Sequence, residues 1–218
     1  MLCTSVFIII IVVDGTIVNV ALPTFVRELG ATTSQLQWIV DAYVLVFAGL
    51  LMAAGSIGDR YGRKALLQIG LVLFAATSAI AAFAGSAAHL IAWRAALGVG
   101  GALIFPATLA LLVNVFTVAR QRAIAIPVWA ATSGLAVALG PVSGGLFLRH
   151  FWWGSVFLVN VPVVIVAIVL VGWLVPTSRD SEVKRLDPLA TVLSIGGISV
   201  LVWAVIEGPK HGCHSWVR

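Results

Sequence analysis

Residues 8–16 read IIIIVVDGT. Six aliphatic side chains run into an aspartate, and apolar character resumes beyond it through Ile17, Val18 and Ala21. Followed outward, the run covers about residues 3–26. That is close to the ~20 residues an α-helix needs to cross a hydrocarbon core of about 30 Å. The rest of the chain is of the same kind. Its 218 residues are 61% hydrophobic and 10% charged, with a mean hydropathy of +1.12. A soluble domain carries roughly 25% charged residues, so the polar side chains here are too few to cover a surface facing water. The composition predicts an all-α membrane protein embedded in a lipid bilayer, because barrel strands would read as short alternating segments. A net charge of +5 is explained by basic cytoplasmic loops, and no nucleic-acid partner is expected.

Seven apolar segments can be drawn: 3–26, 36–57, 65–86, 89–115, 123–148, 154–175 and 188–207. The connections are mostly short, which makes consecutive helices antiparallel neighbours. Eight Lys and Arg fall in the second, fourth and sixth connections, against four on the opposite side. The positive-inside bias then puts the N-terminus in the cytoplasm of a multi-pass cell-membrane protein. Met1 leads almost directly into the first span without the basic stretch and small-residue cleavage site of a secretory signal. The expected organisation is a six-helix bundle over 1–175, a cytoplasmic loop over 176–187, a seventh helix over 188–207 and an extracytoplasmic tail over 208–218.

Charge inside these spans is costly, about 2.5–3.5 kcal/mol at a helix centre on insertion scales, and it points to function by default. Asp14 lies near the middle of the first span, with Thr16 and Asn19 giving that helix a partly polar side. A carboxylate there suits uptake and release of a proton; the plainer alternative is a protonated structural aspartate bonded to a neighbouring helix. Asp41 is shallower and shares a face with Gln37. It either attracts cationic substrates or sits hydrated at a helix end, while Trp38 and Tyr43 suit an interfacial belt. Arg94 is always charged and stands in a stripe with Gly98, Ala102 and Pro106. Small residues admit a close neighbour, so Arg94 is expected to face inward; the sequence does not decide whether it meets Asp14, directly or through water. Otherwise it snorkels to the outer interface. Glu207 receives no role. His211, Cys213 and His214 fall short of a metal site, for want of further ligands.

Two glycine patterns stand out. In GSIGDRYGRKALL (55–67), Gly58 and Gly62 permit tight turning. Asp59 can meet orphan N–H groups at a helix start, and Arg60, Arg63 and Lys64 gather beside it. In AVALGPVSGG, Ala136, Gly140 and Gly144 repeat every four residues and form a small-residue face. Pro141 removes one hydrogen bond within that helix.

GSIGDRYGRKALL resembles the signature loop of the major facilitator superfamily, and RAALGVGGALIFPATLALL resembles its fourth-helix motif with a buried arginine. LGPVSGG resembles the antiporter motif of the fifth helix, with Ala136 where that pattern usually has glycine. VDGTIVNVALP, LQWIVDAYVL, FLVNVP and the stretch LDPLATVLSIGGISVLVWAVIEGP resemble the fourteen-helix drug:proton antiporters, above all the pumps for antiseptics and quaternary ammonium compounds. The resemblance covers nearly the whole chain but only the first half of such a protein. It implies the N-terminal six-helix bundle of that fold plus one additional linker helix. It also implies export of lipophilic, often cationic, compounds with no cofactor beyond the proton gradient, and no enzymatic activity. Asp14 would carry the proton and Arg94 modulate it, and Asp41 would help select cations. Gly55, Gly58, Asp59, Arg60, Gly62, Arg63 and Lys64 would form the cytoplasmic loop motif, with Asp59 and Arg63 as a latch. Ala136, Gly140, Pro141, Gly144 and Gly145 would define the antiport helix. A half of this kind is expected to need its C-terminal half, or a second copy, for transport. The alternatives are a membrane interaction or regulatory module that pairs with another chain, and a major-facilitator importer of another small solute.

Overall fold

The computed structural model describes residues 2–116 and 118–174, with residue 197. The expected loop at 176–187, the seventh helix at 188–207, Glu207 and the histidine–cysteine tail lie outside the described residues, apart from that single position. Within the described residues the regular structure is helical: α1 (Leu2–Leu29), α2 (Thr33–Tyr61), α3 (Arg63–Ala81), α4 (Ala87–Val115), α5 (Ala119–His150), α6 (Ser155–Leu158) and α7 (Asn160–Leu174). Six spans long and apolar enough to cross a membrane result, the sixth built from α6 and α7 together. The protein is a multi-pass membrane protein.

The helix ends follow local chemistry. Thr32 caps α2 through a reciprocal box with Gln35, its hydroxyl accepting from the Gln35 backbone N–H while the Gln35 side chain accepts from the Thr32 N–H. Ser86 caps α4 by accepting from the His89 N–H. The charged connection after the second span is shorter than the sequence suggests. α2 continues through Asp59 and Tyr61, and Gly62 alone breaks the helix, at φ 108°. A side chain at that φ is strained, so one glycine does the work of a loop. α3 ends at Ala81, five residues before the expected limit, and leaves a short link to Ser86.

Helices in lipid gain little from the hydrophobic effect against one another, so close approach of small residues takes over. α4 lies at the centre. A Cβ on Gly98 would come within 2.6 Å of the Tyr43 carbonyl oxygen on α2, and one on Gly100 within 3.0 Å of Phe74 on α3. Glycines on two sides of α4 therefore let both neighbours seat backbone to backbone. α5 packs on α1 in the same way. A Cβ on Gly140 would collide with the Thr16 side chain, and one on Gly144 would come within 2.9 Å of Ile17 Cγ1. Ala136 is fully buried. Gly145 differs from the other motif positions, with nothing within 4 Å of where its Cβ would stand. α5 also exposes Leu135, Val137, Leu139, Val142 and Leu146, surface suited to lipid or another helix.

Candidate functional site

The α1–α5 packing holds one turn of α1 rigidly, and Asp14 projects from that turn. Arg94 comes from α4, 80 positions away in sequence. Both side chains are wholly buried, and Arg94 Nη1 donates to Asp14 Oδ2 at 2.6 Å. The contact is direct, and full burial excludes a snorkelling arginine. Two further contacts fix the guanidinium, and a close approach of two helices supports them. Nε donates to the Ile39 carbonyl at 3.0 Å, the Tyr43 ring lies 4.3 Å from its carbon, and Gly98 one turn on brings the α2 backbone close. Its Nη2 finds no acceptor among the described residues. An unused buried donor is costly, and it gives Arg94 the capacity to hold one more acceptor.

The other carboxylate oxygen is held by a residue that carried no predicted role. Asn160 Nδ2, at the start of α7, donates to Asp14 Oδ1 at 2.7 Å and lies 3.2 Å from Ser78 Oγ on α3. Ser78 in turn donates to the Phe157 carbonyl in α6 at 2.8 Å. Asp14, Asn160 and Ser78 thus form one buried chain through α1, α7 and α3, joined at Asp14 to α4. Asn160 was legible in principle, since it is a lone amide in the apolar run VFLVNVPVVIVAIV, and a buried amide must find a partner. Tyr43 corrects an expectation. It is not a belt residue at the interface but is 4% exposed, lies against Arg94 and donates its hydroxyl to the Ile11 carbonyl at 3.1 Å.

The remaining candidates lie apart. Asp41 is partly exposed and bonds to neither Asp14 nor Arg94. Near the α2–α3 break, Asp59 Oδ1 accepts from Arg63 Nε at 3.0 Å and from Nη2 at 2.9 Å. Lys64 Nζ donates to the Gly172 carbonyl at 3.1 Å and ties α3 to the end of α7, while Arg60 lies over the Tyr61 ring. Gly58 is buried beneath Leu66, and Gly55 faces Pro106 of α4. These residues border a cavity of about 360 Å³ whose lining includes Asp59, Arg63, Pro106 and Asn114. A second cavity of about 360 Å³ lies between α1, α5 and α7, lined by Ile10, Val13, Leu146, Phe147 and Val163, with Ser143 and Asn160 as its polar members.

An ion pair with no exposure to water, in a bundle of membrane-crossing helices, defines a class of helical membrane protein with a charged centre, the place where function is expected. The chain matches the family model described as Major Facilitator Superfamily over residues 4–207. It belongs to that superfamily and is a transporter chain rather than an enzyme. It is 47% identical over 205 residues to the "Multidrug efflux pump LfrA" of Mycolicibacterium smegmatis, covering 94% of this chain and 41% of that protein. It is 41% identical over 207 residues to the "Methyl viologen resistance protein SmvA" of Salmonella typhimurium, covering 95% and 42%. The chain therefore spans about two fifths of the length of the curated relatives it matches. The fold superposes on the crystal structure of a peptide transporter, POT, with a TM-score of 0.70 at 17% identity, over 100% of this chain and 46% of that one.

Proposed function

We propose that this chain forms the N-terminal bundle of a proton-driven exporter of lipophilic, often cationic, compounds in the cell membrane, with its N-terminus in the cytoplasm. The observation that carries this reading is the wholly buried Asp14–Arg94 pair. Asp14 is an ionisable group near mid-membrane, and an intramembrane carboxylate facing a bundle interior is a typical proton carrier. Arg94 keeps its charge throughout. Protonating Asp14 therefore changes the centre from a neutral ion pair to a net cation. A second cation, the substrate, is then disfavoured in the same space, and release of the proton restores room for it. Proton and cationic drug exclude one another, which is what antiport requires. Asp41, partly exposed on α2, is suited to draw cations toward that space. The resistance and efflux relatives support the drug class. Asp59 and Arg63 hold the α2–α3 break in shape and serve as the latch. Alternating access needs two bundles rocking about a midplane site. This bundle supplies one, and a C-terminal half or a second copy supplies the other.

The test is a chimera in which this chain replaces the matching first two fifths of LfrA, reconstituted in proteoliposomes. The chimera is expected to move ethidium when a pH gradient is imposed, and the chain alone is expected not to. Asp14→Asn should abolish the gradient-driven movement. Gradient-driven transport that survives Asp14→Asn would overturn the assignment, and transport by the chain alone would overturn the need for a second bundle.

A further inference from the structure

We infer that Asn160 is a positioning residue that reads the charge on Asp14 and passes it through Ser78 to the Phe157 carbonyl in α6. This rests on the proton-carrying role of Asp14 proposed above. An ionised carboxylate only accepts; a protonated one has an O–H that must find an acceptor. Ionised Asp14 is satisfied in the structure, with Arg94 Nη1 on Oδ2 and Asn160 Nδ2 on Oδ1. When a proton from water adds to Oδ1, Nδ2 faces a donor and the contact becomes repulsive. The side chain that can answer is Asn160 itself, since an amide carries an acceptor and a donor on opposite sides of one bond. A half-turn of the amide puts its Oδ1 where Nδ2 was, and the Asp14 O–H donates to it.

That turn cannot stay local, because Nδ2 also lies 3.2 Å from Ser78 Oγ. In the ionised state Ser78 accepts there and donates to the Phe157 carbonyl at 2.8 Å. After the turn Ser78 faces an acceptor, and its O–H swings from Phe157 to Asn160. The Phe157 carbonyl loses its side-chain donor. Phe157 belongs to α6, a helix of four residues that stops one position short of Asn160, with Val159 between α6 and α7. Val159 keeps helical dihedrals, φ −60° and ψ −28°, so Phe157 lies on the same helical span as the residue that reverses, one turn earlier. Both states keep a bond at Asp14 Oδ1 and at Ser78, with the direction of each reversed; the change falls on the Phe157 carbonyl and on the far side of the Asn160 amide. The ionisable groups around Asp14 are Arg94 from α4 and Tyr43 from α2. α3 and α7 contribute the neutral Ser78 and Asn160, and α5 contributes Gly140 against the adjoining turn. Arg94 has no acceptor to offer an Asp14 O–H, and the Tyr43 hydroxyl, which donates to the Ile11 carbonyl, makes no hydrogen bond with Asp14.

The test is infrared difference spectroscopy of the whole chain in lipid nanodiscs, with isotope-labelled aspartate and an Asp14→Asn sample to assign the Asp14 carboxyl band. The wild type should show a hydrogen-bonded acid band that grows on acidification. Asn160→Leu, close in size but with no polar atom, should move that band to higher wavenumber, and Asn160→Gln should bring it back. Ser78→Ala, a milder change, should move it in the same direction by a smaller amount. A band that titrates but holds its position in Asn160→Leu, or in Ser78→Ala where the leucine variant does not fold, overturns the inference. A wild type in which no Asp14 acid band forms at any pH overturns the proton-carrier reading beneath it.

Discussion

Removing both members of the Asp14–Arg94 pair should cost no more than removing the costlier one alone. The two groups meet at 2.6 Å with no exposure on either side. Asp14→Leu leaves the guanidinium with the Ile39 carbonyl and the Tyr43 ring but without an anion. Stranding a buried charge in this way costs about 3–5 kcal/mol. Arg94→Leu strands the carboxylate, which keeps the Asn160 donor. A carboxylate can neutralise itself by taking a proton, whereas a guanidinium cannot lose one. The arginine variant should therefore fall at or below about 3 kcal/mol. The double variant leaves two apolar side chains facing each other and deprives only neutral groups of a partner, the Asn160 amide and the Ile39 carbonyl. Replacing a whole buried pair by hydrophobic residues is often neutral or stabilising, and an unpaired neutral group costs about 1–3 kcal/mol, so the double should be no less stable than the worse single variant. The interaction term is then at least the cost of the milder single variant, above the ~0.5 kcal/mol scatter of independent sites. The assay is unfolding of the detergent-solubilised chain in a graded denaturing detergent, followed by far-ultraviolet circular dichroism. Single variants that add to give the double, or an Asp14→Leu variant as stable as the wild type, would refute the reasoning.

Three further substitutions separate packing from chemistry. Gly140→Val should pry α1 from α5, because its Cβ would collide with Thr16. Overpacking costs about 1–3 kcal/mol, whereas Gly145→Ala, with open space around it, should be neutral or slightly stabilising in the same unfolding assay. Gly62→Ala should destabilise the chain by roughly 1–2 kcal/mol through backbone strain alone, since φ there is 108°; limited proteolysis at the α2–α3 junction would register it as faster cleavage. Asp59→Asn breaks a half-exposed pair and should change stability by no more than about 1 kcal/mol. In the LfrA chimera the same change should slow transport, as the latch role requires.

Much of the architecture is legible from hydropathy, because a backbone in hydrocarbon has few ways to satisfy its polar groups. The first six apolar runs correspond to the six observed spans, each end differing by a few residues. The ends differ where one residue decides them: Gly62 replaces an expected loop, and α3 stops at Ala81. Asp14 and Arg94 are visible singly, since charge in an apolar run is costly and conspicuous. Their contact is not visible, because 80 residues separate them and only the packing of α1 on α4 brings them together. Asn160 escaped notice because a neutral amide barely lowers the hydropathy of its run. Tyr43 is deceptive in the sequence for a related reason. Its distance from the helix start suits an interface, while its burial is set by glycines on another helix, Gly98 and Gly101 of α4, which leave room for its backbone and its hydroxyl.

The central claim is that one carboxylate, Asp14, exchanges the coupled proton. A pH-sensitive dye trapped in proteoliposomes of the LfrA chimera reads that exchange directly when a cationic substrate is supplied. Wild-type vesicles should show proton movement opposite to the substrate, and Asp14→Asn vesicles none, with substrate binding retained. Proton movement of equal size in both would place the exchange at another group and contradict the account.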